Sequence, residues 1–173
     1  MNIEIERKFL MDEKKFKDFL NNPKKQTDVR VYKKLEIIQG YILKEKEKSI
    51  RIRCVFESGV PGFGIPHGDK NYLLETKTKI KGKTFSYKEE SFCIIDTMFE
   101  HLLTFIPKEK IIKKTRHVLI MKDNTKFEVD FFRSPKKLVI AEAEVSKESK
   151  VLYIPPWLGK EVTGDPKYFN SNM

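Results

Sequence analysis

Residues 2–10 read Asn-Ile-Glu-Ile-Glu-Arg-Lys-Phe-Leu, a stretch whose two-residue alternation governs the reading of the whole chain. In an extended strand, residues i and i+2 share a face, so Glu4, Glu6 and Lys8 stand on one side and Ile3, Ile5 and Phe9 on the other, with Arg7 as the exception. Taken alone, this is an ordinary half-exposed strand with its charges toward water. The alternation recurs near 37–45, 49–56, 72–79, 84–94, 111–121, 125–133 and 138–146, for about eight strands. Arg51 and Arg53 oppose Ile50 and Ile52; Glu75, Lys77 and Lys79 oppose Leu74 and two threonines; Lys114 and Arg116 share a side. Glu128 and Asp130 oppose Phe127, Val129 and Phe131, while Glu142 and Glu144 oppose Ala141, Ala143 and Val145. Solvated faces usually mix charge with Ser, Thr and Asn, whereas here same-sign pairs return on strand after strand. Two carboxylates at i and i+2 repel one another unless a cation or proton lies between them, which makes these pairs candidate metal sites.

Two further segments have helical spacing. Residues 12–20 (DEKKFKDFL) put Phe16, Phe19 and Leu20 on one face behind an Asp12 N-cap, and residues 96–105 do the same with Met98, Phe99, Leu102 and Leu103. With two amphipathic helices to cover the apolar side, the economical arrangement is α+β: a closed antiparallel eight-stranded β-barrel, helices packed outside, charges facing a water-filled lumen. Residues 122–124 and 80–83, the latter with Gly82, read as hairpin turns. Residues 58–71 (SGVPGFGIPHGDKN) read as a long loop, and its Gly62-Phe63-Gly64 lacks the third glycine and following helix of a nucleotide fingerprint. Near the C-terminus, Pro155 and Pro156 precede an expected short helical turn, and Gly164, Asp165 and Pro166 suggest an ordered tail over a barrel end.

The 173 residues, 39% hydrophobic and 12% aromatic, suit a single domain spanning 1–173. A formal net charge of +10 favours an anionic partner without naming it. Nucleic-acid binders present cations outward with interleaved aromatics, so the inward carboxylates argue against nucleic acid. No stretch approaches the ~18 apolar residues of a membrane span, and acidic Glu4 and Glu6 do not fit an export signal. Cys54 and Cys93 lie in separate strands as reduced thiols, which points to the cytoplasm, and His67, His101 and His117 are too scattered for zinc.

The lumen then has two kinds of wall. Hard carboxylate oxygens suit Mg²⁺ or Mn²⁺, and a Lys/Arg set suits a polyanion, with Arg able to grip phosphate oxygens in a bidentate fork. A linear polyphosphate chelating a divalent metal satisfies both. In its order of IEIERKFL, QGYIL, RIR, ETK, KKTR, FEVDFF, AEAEV and PPWLGKEVT, the chain resembles the CYTH, or triphosphate tunnel metalloenzyme, family in its bacterial tripolyphosphatase-like branch, over nearly its whole length.

The resemblance implies an antiparallel barrel forming a tunnel and hydrolysis of a triphosphate, first of all inorganic tripolyphosphate, with Mg²⁺ or Mn²⁺. By the same likeness Glu4, Glu6, Asp130, Glu142 and Glu144 would bind metal, and Lys8, Tyr41, Arg51, Arg53, Lys77, Lys114 and Arg116 would hold the phosphates. Glu4, Glu6, Lys8 and Glu144 would be the catalytic set, with ATP and thiamine triphosphate as further candidate substrates. Related activities are class IV adenylyl cyclase and thiamine triphosphatase; a non-catalytic nucleotide or polyphosphate receptor would gain nothing from the carboxylates. One departure concerns TFSYKEESF, where family members carry an R-x-E-x-E strand: the arginine is absent, Lys88 is its candidate replacement, and the register of Glu89 against Glu90 is open. Lys167 stands where an arginine is common, and the 58–71 loop is longer than the family pattern leads one to expect.

Overall fold

The structure is a computed structural model that describes residues 2–58, 70–83, 86–145 and 153–172, the side chains of residues 2–4, 23 and 171 excepted. Most of the 58–71 loop and the Glu4 side chain therefore lie outside the described residues. The strands are β1 (Asn2–Met11), β2 (Val29–Lys44), β3 (Lys48–Glu57), β4 (Asn71–Lys79), β5 (Ser86–Cys93), β6 (Ile112–Met121), β7 (Lys126–Ser134), β8 (Leu138–Glu144) and β9 (Leu158–Glu161), with helices α1 (Glu13–Asn21) and α2 (Asp96–Thr104). The strand order is β5-β4-β3-β2-β6-β7-β8-β1-β9, and an added β5–β1 pairing closes the first eight into an antiparallel barrel. The expected barrel is present, with one strand more than the alternation suggested.

That ninth strand replaces the helical turn expected after Pro156. β5 pairs with β1 at residues 2–5, β8 takes the other edge at residues 6–10, and β9 extends the first edge at Phe9 and Met11. Gly159 lies so close to β1 that an added Cβ would stand 3.1 Å from the Leu10 carbonyl oxygen, an approach a side chain would obstruct. β9 also explains Arg7, the exception in the first strand: on the outer face its Nε donates to Glu161 Oε1 at 2.9 Å. Glu161 in turn accepts from Thr163 at 2.6 Å, and Thr163 Oγ1 accepts from the Lys8 backbone N–H at 2.9 Å, tying the tail to β1.

The apolar faces point outward, as the alternation required. α1, capped by Asp12 accepting from the Lys15 N–H at 3.0 Å, buries Phe16 and Phe19 against Phe9, Leu119, Phe127, Val129, Ala141, Ala143 and Trp157. Trp157 packs edge-on to Phe16 and Phe127 at 5.1 and 5.4 Å between centroids, so the tail and α1 share one core. α2 and the turn that follows it cover Ile52 and Cys54 with Phe99 and Ile106. On the inward face toward one barrel end, Ile112, Phe132 and Ile140 pack together with Leu10, Leu138 and Tyr41, and Tyr168 of the tail lies against them.

His117 faces outward into the α1 core, where Tyr32 Oη lies 2.7 Å from its Nδ1 and Phe16 and Phe131 meet its ring. Burial, then the charge of Lys34, pushes its pKa down to about 4 from 6.5. Between those values the unfolded chain takes up a proton that the folded chain refuses, so stability falls as pH drops through this window. With its ring partly exposed, the contribution is about 1–2 kcal/mol. Denaturant midpoints of wild type and His117→Phe at pH 7 and pH 4.5 are expected to show wild type losing more by that amount on acidification. Equal losses would contradict the assignment.

Candidate active site

The inward faces of the eight barrel strands carry the charges, and β-sheet register decides which of them meet. Glu6 faces Glu144 and Lys8 faces Glu142 across β1 and β8. Glu128 faces Glu142 across β7 and β8, and Arg116 faces Asp130 across β6 and β7. On the opposite wall Arg51 faces Glu75, and Lys77 lies between Ser49 and Glu89. Of these, Glu6, Lys8, Ser49, Arg51, Lys77, Glu89, Arg116, Glu128, Glu142 and Glu144 line a cavity of about 550 Å³, over which residues of the 163–172 tail and the 44–49 turn are also laid.

Lys8, Arg51, Arg53, Lys77, Lys114, Arg116 and Lys126 each have an acidic partner. Lys8 donates to Glu142; Arg51 donates to Glu75 and Glu89, both at 2.7 Å; Arg53 stands 3.2 Å from Glu75. Lys77 donates to Glu6 at 3.0 Å and Lys126 to Glu144 at 2.6 Å. Arg116 grips Asp130 through Nε and Nη2, both at 2.7 Å, and also donates to Glu128 and, at 3.3 Å, to Glu142. Lys114, wholly buried, donates to Asp130 at 2.5 Å beneath the cavity wall, so neither of these two lines the cavity directly.

Burial works against every one of these charges, and the partner decides which survive. Burial alone would lower Lys8, but Glu142 and Glu6 outweigh it and hold its pKa above the ordinary lysine value. For Lys114 burial and the neighbouring Arg116 prevail over Asp130, and its pKa falls to about 7. Arg53 is brought down to about 10 by burial and by Arg51. Glu142 is held well below the ordinary carboxylate value because Lys8 and Arg116 overcome its burial, and Asp130 is held down by Arg116 and Lys114 in the same way. A buried charge that keeps its ionised form only through its partner is poised to exchange that partner for another ion of like sign.

Most of the residues singled out in the sequence are therefore assembled in one place: Glu6, Lys8, Tyr41, Arg51, Arg53, Lys77, Arg116, Glu142 and Glu144 all line the cavity. Tyr41 does so while packing against the apolar cluster of Ile112, Phe132 and Ile140. In the divergent β5, Glu89 faces inward and Glu90 outward; Lys88 pairs with Glu90 on the outside at 2.8 Å and does not replace the missing arginine. Tyr87 is the inward residue there, with Lys77 Nζ 4.8 Å above its ring. Glu89, Glu128 and Lys126 complete the wall, and Glu75 pairs with Arg51 and Arg53, without having been given roles from sequence. For Glu128 the signal was its place on the same face as Asp130.

Among the described residues no three acidic, histidine or cysteine side chains are already gathered at metal-binding spacing. The donors nevertheless fit a divalent ion: Glu6 and Glu144 face one another directly and offer hard oxygens, provided that Lys77 and Lys126 turn away from them.

No family model matches the chain. Over its whole length the chain is 33% identical to an inorganic triphosphatase of Acetivibrio thermocellus, of which it covers 94%. Among solved structures, that of the inorganic triphosphatase NE1496 matches with a TM-score of 0.57 and 26% identity over 99% of this chain and 94% of that one. The PH1819 protein of Pyrococcus horikoshii OT3 shares the fold at a TM-score of 0.57 and 17% identity over 84% of this chain and 80% of that one. A relative matched over 94% of its length, a solved triphosphatase of similar fold and the closed eight-stranded barrel of this chain lead to one conclusion: the chain belongs to the CYTH, or triphosphate tunnel metalloenzyme, family.

Proposed function

We propose that residues 1–173 act as one domain that hydrolyses a linear triphosphate, inorganic tripolyphosphate first, to pyrophosphate and phosphate with Mg²⁺ or Mn²⁺. The observation that carries this reading is the wall of matched charges, in which Lys8, Arg51, Arg53, Lys77, Arg116 and Lys126 all line one cavity and are each held by a carboxylate. A lumen paired in this way favours a polyanion that brings its own cation over a bare anion. The triphosphatase name of the Acetivibrio thermocellus relative supports the same reaction.

In the reaction the oxygen of a water bonds to a terminal phosphorus, the bridging P–O bond breaks, and its electron pair leaves with pyrophosphate. A divalent ion, when bound, neutralises phosphate charge and makes its water more acidic. Glu6 and Glu144 are the proposed ligands, with Glu4, Glu142 and Asp130 completing the set. Lys8, Arg51, Arg53, Lys77 and Arg116 hold phosphate oxygens in place of their present carboxylates, Lys114 adds charge from beneath, and Tyr41 borders the chain. This positioning and charge compensation supply the catalysis, since phosphoryl transfer asks little covalent help of the protein. Asp130 also acts by fixing the Arg116 fork. No described helix is long and apolar enough to cross a membrane, and the two free thiols, Cys54 buried and Cys93 exposed, suit a cytoplasmic setting.

The reading is tested by incubating the protein with tripolyphosphate, ATP and thiamine triphosphate under Mg²⁺ or Mn²⁺ and measuring phosphate, pyrophosphate and cyclic AMP. Tripolyphosphate is expected to be cleaved fastest. Cyclic AMP as the main product would favour cyclisation, and thiamine diphosphate formed faster than pyrophosphate would favour the thiamine substrate.

A further inference from the structure

Among the described residues, the buried side-chain atoms without a hydrogen-bond partner are both amide atoms of Gln39, Trp157 Nε1 and Arg53 Nε, the last standing 3.2 Å from Glu75 Oε2 outside hydrogen-bond geometry. Trp157 belongs to the outer core, but Gln39 and Arg53 face one another directly across β2 and β3. Gln39 is wholly buried. Its side chain points into the barrel: on one side Ile38 packs in the cluster beneath α2, and on the other a Cβ on Gly40 would run into Ile106 of that same outer cluster. Gln39 itself lies beneath the cavity wall, next to two residues that line it: Tyr41, two residues along the same face, and Arg53 across the sheet.

Glutamine brings two donors and one acceptor, and leaving them unmet in the interior costs about 1–3 kcal/mol for each group, a cost that Leu or Met in the same space would avoid. The neighbouring inward residue Ile37 and the facing Ile112 show that this part of the wall accommodates apolar side chains. An amide retained there without partners, beside an arginine whose Nε meets Glu75 as an ion pair outside hydrogen-bond geometry, marks a place where a ligand supplies the missing partner. An anionic oxygen is the one acceptor that both Gln39 Nε2 and Arg53 Nε can share.

We infer that Gln39 is a substrate-binding residue: its amide N–H and Arg53 Nε donate together to one phosphate oxygen of the bound triphosphate, and its carbonyl accepts from the Arg53 guanidinium. This rests on the triphosphatase reading above and adds a neutral donor to a site otherwise built of charges. A neutral amide fixes an oxygen by direction without binding metal or repelling the next phosphate.

The test uses Gln39→Met, similar in shape without the hydrogen bonds, and Gln39→Glu, similar in shape with a carboxylate. Initial rates across tripolyphosphate concentrations at saturating Mg²⁺ are combined with thermal midpoints measured without phosphate. Gln39→Met is expected to raise KM about tenfold or more, the loss of one hydrogen bond to a charged oxygen, while its midpoint stays at or above that of wild type. Gln39→Glu, which gives Arg53 a second carboxylate and repels phosphate, is expected to raise KM further with no fall in midpoint. A lower midpoint for Gln39→Met would show that the amide is satisfied in the free protein and overturn the inference, as would an unchanged KM. Wild-type protein that neither cleaves tripolyphosphate nor gains thermal stability from it would overturn the functional reading, and the inference with it.

Discussion

Arg116→Ala is expected to lower the rate of tripolyphosphate cleavage by at least about 10³-fold and to cost about 3–5 kcal/mol of stability, the two largest effects of a single substitution in this lumen. The guanidinium is shared by Asp130, Glu128 and Glu142, which arrive from β7 and β8, so its removal leaves three carboxylates competing for Lys8, Lys114 and Lys126. Asp130 and Glu142 are both buried, and a buried carboxylate without its partner must either bear its desolvation cost or take up a proton. Arg116→Lys keeps the charge but not the fork that spans both Asp130 oxygens, and should fall between wild type and the alanine variant. Urea midpoints and single-turnover rates below the melting range separate the two losses. Retention of rate within tenfold by Arg116→Ala would remove Arg116 from the phosphate-binding set.

Glu144→Gln is expected to behave in the opposite way, with turnover falling about 10²- to 10³-fold and stability changing by less than about 1 kcal/mol. Its one described partner, Lys126 at 2.6 Å, is a partly exposed ion pair, so little folding energy is tied up there. The carboxylate matters because it faces Glu6 across β1 and β8, which sets two like charges at opposed positions. An amide of the same shape keeps the oxygen but surrenders the charge a divalent ion requires. Phosphate release by Glu144→Gln matching wild type at saturating Mg²⁺ would contradict the assignment of Glu144 to metal.

Much of this architecture was legible in the chain because the lumen inverts the usual rule. Where a strand alternates strictly, as in Glu4-Ile5-Glu6 or Glu142-Ala143-Glu144, the face and its partners can be counted off, and the barrel follows from the number of such strands. The first half of β2 was missed because residues 29–36 (VRVYKKLE) mix charge and apolar groups on both faces. There Tyr32 packs outward on His117 while Lys33 reaches Glu57 at 3.6 Å near a strand end. β9 was missed because four residues, two of them Gly159 and Lys160, carry no period of their own and become a strand only against the free edge of β1. The register of β5 could not be read locally either, since residues 88–90 are all charged; pairing of Glu89 with Lys77 on β4 decides it. Gln39 escaped for a different reason: its place in the site is marked by hydrogen bonds it lacks, and only the folded structure shows those.

Phosphorus NMR of wild-type protein with tripolyphosphate and Mg²⁺ is the most direct test of the central claim, that the charged lumen cleaves a linear triphosphate. The account predicts that tripolyphosphate disappears as pyrophosphate and phosphate grow in equal amounts, that excess chelator stops the reaction, and that Lys8→Ala, lacking the cation held by Glu142, cleaves far more slowly. Tripolyphosphate that persists unchanged with folded wild-type protein and either Mg²⁺ or Mn²⁺ would contradict it.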